Sequence, residues 1–199
     1  MPPTVGRIDA LNVYEISFDG AKYPEHSIRA LTGDGCRLEF ADGSYDIAYS
    51  NSVIEHVGSW EDQKAFAAEL RRVGGKLWCQ TPARCSPIEP HYLAPFIHWL
   101  PRSIQRKLIR YFTVRGLIEK PSQAEIDEMV FSIRLLTYRE MRQLFPDCTI
   151  LTEYLLPMIP KSYIAVRTGK IPGARQATGG PDLMHLNAPS PARSVRRGR

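Results

Sequence analysis

Asp34 and Gly35 close the segment "SIRALTGDG" with a carboxylate beside a residue that has no side chain. At the end of a strand such a carboxylate accepts from an amino group, and glycine lets a flat ring approach the backbone, so the pair suits an adenine. Asn12 ends an earlier apolar run, and its amide can hydrogen-bond the vicinal hydroxyls of a ribose, without the charge an acidic residue would bring. Ser50 and Asn51 cut off a third run, "YDIAYS", and Gln80 with Thr81 a fourth. His56 and His91 are candidates to take a proton from a reacting group. Each of these residues, taken singly, is more often a turn, a cap or a structural histidine; several polar strand ends together argue for a binding cleft.

The elements that would position them alternate between strand and helix. Short strands are expected at 7–16, 27–34, 45–50 and 76–82. Between the last two, Ser59 and Asp62 form a helix-start pattern, Phe66, Leu70 and Val73 supply the apolar stripe, and Gly74 with Gly75 is expected to end the helix in a left-handed turn. Residues 83–100 carry three prolines and read as an ordered, irregular insertion. An amphipathic helix follows over 101–112, with Ile104, Leu108 and Phe112 on one stripe and Arg102, Arg106 and Arg110 on another. Further helices are expected near 123–135 and from Thr137, where Glu140 repeats the capping pattern. The last two strands, 149–156 and 161–168, are separated by only "PMIP", too little for a parallel crossover, so they should pair antiparallel. The rest implies a mainly parallel sheet with helices on both faces and a ligand cleft outside the strand carboxyl ends.

Composition excludes several other classes. The chain has 199 residues, 43% of them apolar, enough for one domain with a buried core. Its net charge of +5 is carried by the C-terminal stretch: residues 170–199 hold six basic residues and one acid, leaving 20 basic and 20 acidic residues in 1–169. That stretch, rich in Gly, Pro, Ala and Ser, reads as a disordered, solvated tail over 169–199, so no specific nucleic-acid partner is expected. Cys36, Cys79, Cys85 and Cys148 show no paired spacing and no leader pattern is evident, which points to a reduced, cytoplasmic protein. No apolar run approaches the length of about 18 residues that a spanning helix requires; peripheral membrane contact through the basic helix is the alternative to its being an ordinary cap. Cys79, Cys85, His91 and His98 lack zinc-site spacing, so no metal site is expected.

The block "GDGCRLEFADGSYDIAYSNSVIEHV" resembles the central part of class I S-adenosylmethionine-dependent methyltransferases of the type 11-like group, where an acid-small pair precedes a loop, an apolar strand, Asn and a Glu-His pair. "ELRRVGGKLWCQTP" resembles the family's next helix, glycine turn and strand, and "TYREMRQLFPDCTILTEYLLPMIPKSYIAVR" its closing helix and hairpin. The likeness covers about residues 7–168 apart from the insertion, so the domain is taken as 1–168 with a cap over 83–135. It implies an α/β, Rossmann-like methyltransferase sheet with an antiparallel C-terminal hairpin. It also implies S-adenosylmethionine as cofactor, with Asp34 on the adenine amino group, Gly35 and Cys36 beside the ring, Asn12 on the ribose, and Ser50 and Asn51 at the methionine end. Glu55 and His56 open the segment that follows.

The family's first strand and Gly-rich turn have no counterpart ahead of residue 7, where only "MPPTVG" stands. In the family sheet that strand lies between those expected here at 7–16 and 45–50, and each buried backbone group left unpaired would cost about 1–3 kcal/mol. The chain is therefore expected to pair those two strands directly, to borrow a strand, or to be an N-terminally truncated form. The functional expectation is methyl transfer to a small-molecule, lipid or glycan intermediate; the alternative is a non-catalytic relative acting through interaction surfaces or its basic tail.

Overall fold

The computed structural model describes residues 5–17, 26–89, 91–92, 94–169 and 182–187. Its parallel strands are β1 (Arg7–Asn12), β2 (Ser27–Thr32), β3 (Tyr45–Asn51) and β4 (Gly74–Pro82), and a hairpin of β7 (Thr149–Leu156) and β8 (Ile159–Arg167) closes the domain. The two-residue strands β5 (Ile88–Glu89) and β6 (Ala94–Pro95) form a separate small ribbon. As expected, β8 runs antiparallel to β7; it also pairs antiparallel with β4. The α/β class, the parallel order and the terminal hairpin all match the sequence reading.

The gap between β1 and β3 is filled by a strand from the chain's own C-terminal stretch. Asp182–Asn187 forms β9, parallel to both neighbours, with Met184 opposite Asp9 on one side and Ala48 on the other. The sheet order is β2-β1-β9-β3-β4-β8-β7. Of the three solutions to the missing strand, the structure takes the borrowed one, and residues 182–187 depart from the expected disordered tail. The remainder of that tail, 170–181 and 188–199, lies outside the described residues. The connection is feasible in length. β8 ends at Arg167 on the amino side of the sheet, where β9 starts at Asp182. The fourteen residues between them can reach up to about 46 Å, against about 14 Å for three strand spacings.

Helix α1 (Trp60–Val73) starts at Ser59 in a complete capping box with Asp62, and α5 (Tyr138–Leu144) starts at Thr137 in another with Glu140. Phe66, Leu70, Met141 and Phe145 from these two segments share a core with Leu11, Tyr45, Ala48 and Leu77 of the sheet. Among the described residues this helical cover lies on one face, where cover on both was expected; residues 33–44, between β2 and β3, form turns and loop instead of a crossover helix.

Gly74 is a correction. Its backbone is extended, with φ −90° and ψ 128°, and it opens β4 without a left-handed turn. Glycine is required there for closeness: a Cβ would lie 2.6 Å from the Ala48 Cβ and 2.8 Å from the Ala48 nitrogen.

The segment 83–135 builds a second, smaller core. Helices α2 (Arg102–Phe112), α3 (Val114–Glu119) and α4 (Gln123–Ser132) follow the ribbon, and Ile109, Ile126 and Val130 pack with Tyr92, Ala94 and Ile97. Asp127 of α4 holds Arg106 of α2 through two contacts of 2.5 and 2.6 Å. Helix α2 buries Gln105 and Ile109, so its inward face is not the expected Ile104–Leu108–Phe112 stripe; Ile104 and Phe112 are exposed.

Candidate active site

Asn12 and the loop after β2 meet at the carboxyl ends of the strands. The Gly33 N–H donates to the Asn12 carbonyl at 2.9 Å, and a Cβ at Gly33 would come within 3.1 Å of Leu11. One oxygen of Asp34 accepts from the Cys36 N–H at 2.8 Å, shaping the turn. Its exposed carboxylate keeps a second oxygen that can accept from an amino group. Burial, with the Asp34 charge next, pushes the Cys36 thiol up to about 12, so Cys36 is a neutral neighbour whose Sγ donates to the Asp62 carbonyl at 3.4 Å.

These groups line a cavity of about 150 Å³ whose walls include Asn12, Asp34, Gly35, Cys36, Phe66 and His56. Pockets for drug-sized ligands start at about 300 Å³, so the space matches a nucleobase better than a whole cofactor. Ser50 is fully buried in β3 and does not line the cavity, and Asn51 is exposed at the strand end beside Asn187 of β9. Asn12, Asn187 and Asn51 thus terminate three adjacent parallel strands.

His56 is held by an elbow. Ser52 has φ 53°, a left-handed conformation that costs a non-glycine residue roughly 1–2 kcal/mol. Two bonds offset it: the Ser52 N–H donates to the Gln80 carbonyl at 3.0 Å, and the Ser52 hydroxyl donates to Gln80 Oε1 at 3.1 Å. The chain then enters a 3-10 turn over Ile54–His56, bound from α1 by Gln63, whose Nε2 donates to the Ile54 carbonyl at 2.9 Å.

That turn delivers Glu55 and His56 together, and the insertion delivers His91. The two Nε2 atoms lie 3.0 Å apart, with the ring planes at 84°. Glu55 is fully buried; its Oε1 lies 4.0 Å from His56 Nε2 and 3.9 Å from His91 Nε2. Thr81 donates to the other oxygen of Glu55 at 2.8 Å, and the Arg134 N–H donates to the Glu55 carbonyl at 2.8 Å. Burial, and then His91, push His56 down to about 4, leaving a neutral imidazole at pH 7. The sequence reading pairs neither the histidines with each other nor Glu55 with His91, 36 positions away; its one usable signal is the adjacent Glu-His pair.

On the insertion side lies a larger cavity of about 490 Å³, lined among others by Arg84, Tyr92, Trp99, Arg102, Gln105 and Arg134. His56 lines the smaller cavity, while Tyr92, the residue after His91, and Arg134, whose N–H bonds the Glu55 carbonyl, line the larger.

Residues 9–79 match the model of the family described as Methyltransferase domain, a span from β1 to within β4 that includes Asn12, Asp34 and His56. This match bears out the resemblance to class I S-adenosylmethionine-dependent methyltransferases. No curated protein matches the chain. Among solved structures, the PH0226 protein from Pyrococcus horikoshii OT3 is similar at 17% identity, over 84% of this chain and 83% of that one, with a TM-score of 0.44. A SAM-dependent methyltransferase from Thermotoga maritima aligns at 13% identity over 83% of this chain and 84% of its own, TM-score 0.41. One from Methanosarcina mazei aligns at 12% over 81% and 91%, TM-score 0.38. Among the described residues no helix is long and apolar enough to cross a membrane.

S-adenosylmethionine is the cofactor that the resemblance implies. The glycine-lined approach at Gly33 and Gly35, the Asp34 carboxylate and the purine-sized cavity fit its adenosine end.

Proposed function

We propose that the protein is an S-adenosylmethionine-dependent methyltransferase whose cofactor adenosine sits between Asn12 and the loop Asp34–Cys36. The observation that carries this reading is the convergence of Asn12, Asp34, Gly35, Cys36 and His56 on one cavity at the strand carboxyl ends. Asp34 would accept from the adenine amino group and Asn12 from a ribose hydroxyl, with the methionine end running over the ends of β9 and β3 near Ser50 and Asn51.

When bound, the cofactor supplies an electrophilic methyl group on a sulfonium. The chain's task is then alignment and exclusion of water, the effects that supply much of the acceleration in an in-line displacement. His56 and His91, neighbours at 3.0 Å, would be the groups to take the proton from an acceptor hydroxyl. The segment 83–135 is the acceptor cap. Of the three arginines on its cavity, Arg134 is held by Glu140 and Gln63, and Arg84 with Arg102 favour an acceptor carrying an anionic group, among the small-molecule, lipid and glycan intermediates. Exposed Tyr111, Phe112 and Ile118, interspersed with Lys107, Arg110 and Lys120, favour the lipid-borne member of that set, taken from a membrane surface. The free thiols at Cys36, Cys79, Cys85 and Cys148 suit a reducing, cytoplasmic compartment.

A non-catalytic role draws on one feature, the sequence after β9: "APSP" follows Asn187 where the family has a glycine-rich turn. Calorimetry with S-adenosylhomocysteine separates the readings. Saturable heat supports the methyltransferase, and no heat at millimolar ligand refutes it.

A further inference from the structure

We infer that Glu55, His56 and His91 form a binding site for one divalent transition-metal ion of the zinc type, set on the acceptor side of the cleft. Three ligand atoms of suitable chemistry face one another within 4.8 Å: two imidazole Nε2 atoms and one carboxylate oxygen. Around a tetrahedral ion bound at about 2.0–2.2 Å, neighbouring ligand atoms stand about 3.3–3.6 Å apart. The histidine nitrogens, at 3.0 Å, must open by about 0.3 Å. The Glu55 oxygen, at 3.9 and 4.0 Å, must close by about 0.5 Å, which rotation of its carboxylate supplies.

The surroundings are those of a built site. Glu55 is fully buried and oriented by the Thr81 hydroxyl on its second oxygen, the outer-shell support that fixes a ligating carboxylate. Gln63 pins both flanking segments, donating to the carbonyls of Ile54 and Arg134 at 2.9 Å each. The histidine side chains remain 16% and 18% exposed, so an ion can reach them from solvent. Two imidazoles with one carboxylate select zinc, iron or cobalt over magnesium, which prefers oxygen and water.

The role of the ion rests on the methyl-transfer reading, although its binding does not. An acceptor hydroxyl taking a fourth coordination position would release its proton to water, because the cation lowers the hydroxyl's pKa. Its oxygen would then form a bond to the methyl carbon as the sulfur–methyl bond breaks, the electron pair returning to sulfur as a neutral thioether. In the loaded site the two histidines act as ligands and the ion replaces them in activating the hydroxyl.

The test is titration of the full chain with Zn²⁺, and with Co²⁺ as a spectroscopic probe, followed by X-ray absorption of the zinc-loaded protein. The expected result is one ion per chain with nitrogen and oxygen ligands only. His91→Gln, on the partly exposed segment, and Glu55→Gln should each weaken binding about 100-fold or more, at or above the largest effects seen on removing outer-shell partners. Sulfur in the first shell, affinity unchanged in His91→Gln, or Mg²⁺ competing at equal concentration would overturn the inference. The absorption measurement needs no variant and decides even if Glu55→Gln does not fold. Binding of S-adenosylhomocysteine, measured on the same sample, keeps the two readings apart: intact cofactor binding without metal refutes the metal site alone, and the reverse refutes methyl transfer alone.

Discussion

The hydroxyl of Tyr45 donates to Asp9 Oδ2 at 2.8 Å, joining β3 to β1 across the strand that separates them. Asp9 is 1% exposed and also receives Arg29, at 3.0 and 2.6 Å, and Arg7, at 3.1 Å to each oxygen. Burial alone would raise its pKa, but the bonds from Arg29, Tyr45 and Arg7 outweigh burial and hold it below its ordinary value of 3.8. A carboxylate with a depressed folded value contributes stability above its unfolded pKa, and that contribution disappears as pH falls through the folded value. Wild-type urea midpoints should therefore drop as pH falls below about 4, and Asp9→Asn, less stable at neutral pH, should lose part of that slope. Tyr45→Phe removes one donor from a buried charge and should cost about 1–3 kcal/mol at pH 7. A variant with wild-type midpoint and wild-type acid slope would remove this network from the account of stability.

Strand β9 carries a second prediction. Met184 lies between Asp9 and Ala48 in register, at the middle of the sheet. Proline at that position deletes a ladder donor and is foreign to a central strand. Met184→Pro should lower stability by about 1–3 kcal/mol. It should also promote association through the edges of β1 and β3, which then lack a partner. Denaturant midpoints and size-exclusion profiles read both effects. An unchanged midpoint with a monomeric profile would mean that β9 does not hold the centre of the sheet in solution.

Local signals were legible in the sequence, and long-range ones were not. The capping pairs Ser59–Asp62 and Thr137–Glu140 are stretches of four residues that contain their own hydrogen-bond partners, and both formed as read. That Asn12 and Asp34 fall at one end of the sheet was legible because strand ends in a parallel sheet lie on one side, while Cys36 entered through the family resemblance. Gly74 was misread because glycine answers two needs, left-handed backbone and close approach, and only the position of Ala48 tells them apart. The buried side of α2 depends on which neighbour it meets, here α4 through Ile126 and Val130, and not on its own periodicity. β9 has a polar, proline-flanked context, and its pairing exists only because the sheet offers it a slot. For the same reason Glu55, His56 and His91 become one cluster only after the insertion folds back over the sheet.

Asp34 tests the cofactor cavity, and two substitutions separate its roles. One of its oxygens shapes the turn by accepting from the Cys36 N–H, which asparagine can still do. A hydrogen bond to a charged group contributes about 1.5–3 kcal/mol, so Asp34→Asn should weaken S-adenosylhomocysteine about 10- to 100-fold while leaving the fold unchanged. Asp34→Ala loses the turn as well and should abolish measurable heat. Equal affinities for wild type and Asp34→Ala by calorimetry would refute the adenine role.

Helices α2 and α3 show an apolar surface that no neighbour covers within the described residues: Phe112 is 71% and Ile118 75% exposed. Lys107, Arg110 and Lys120 lie on the same two helices or immediately after them. Apolar side chains that enter the headgroup region and cations that meet anionic lipid reinforce each other, and screening by salt weakens only the second. If the acceptor is lipid-borne, the protein should co-sediment with vesicles containing phosphatidylserine and much less with neutral ones. Added salt should reduce binding, and the double substitution Phe112→Asp with Ile118→Asp should abolish it while leaving the unfolding midpoint near wild type, since neither residue belongs to the core. Equal sedimentation with neutral and anionic vesicles would remove the electrostatic part of this reading, and no sedimentation with either would point to a water-soluble acceptor in the larger cavity.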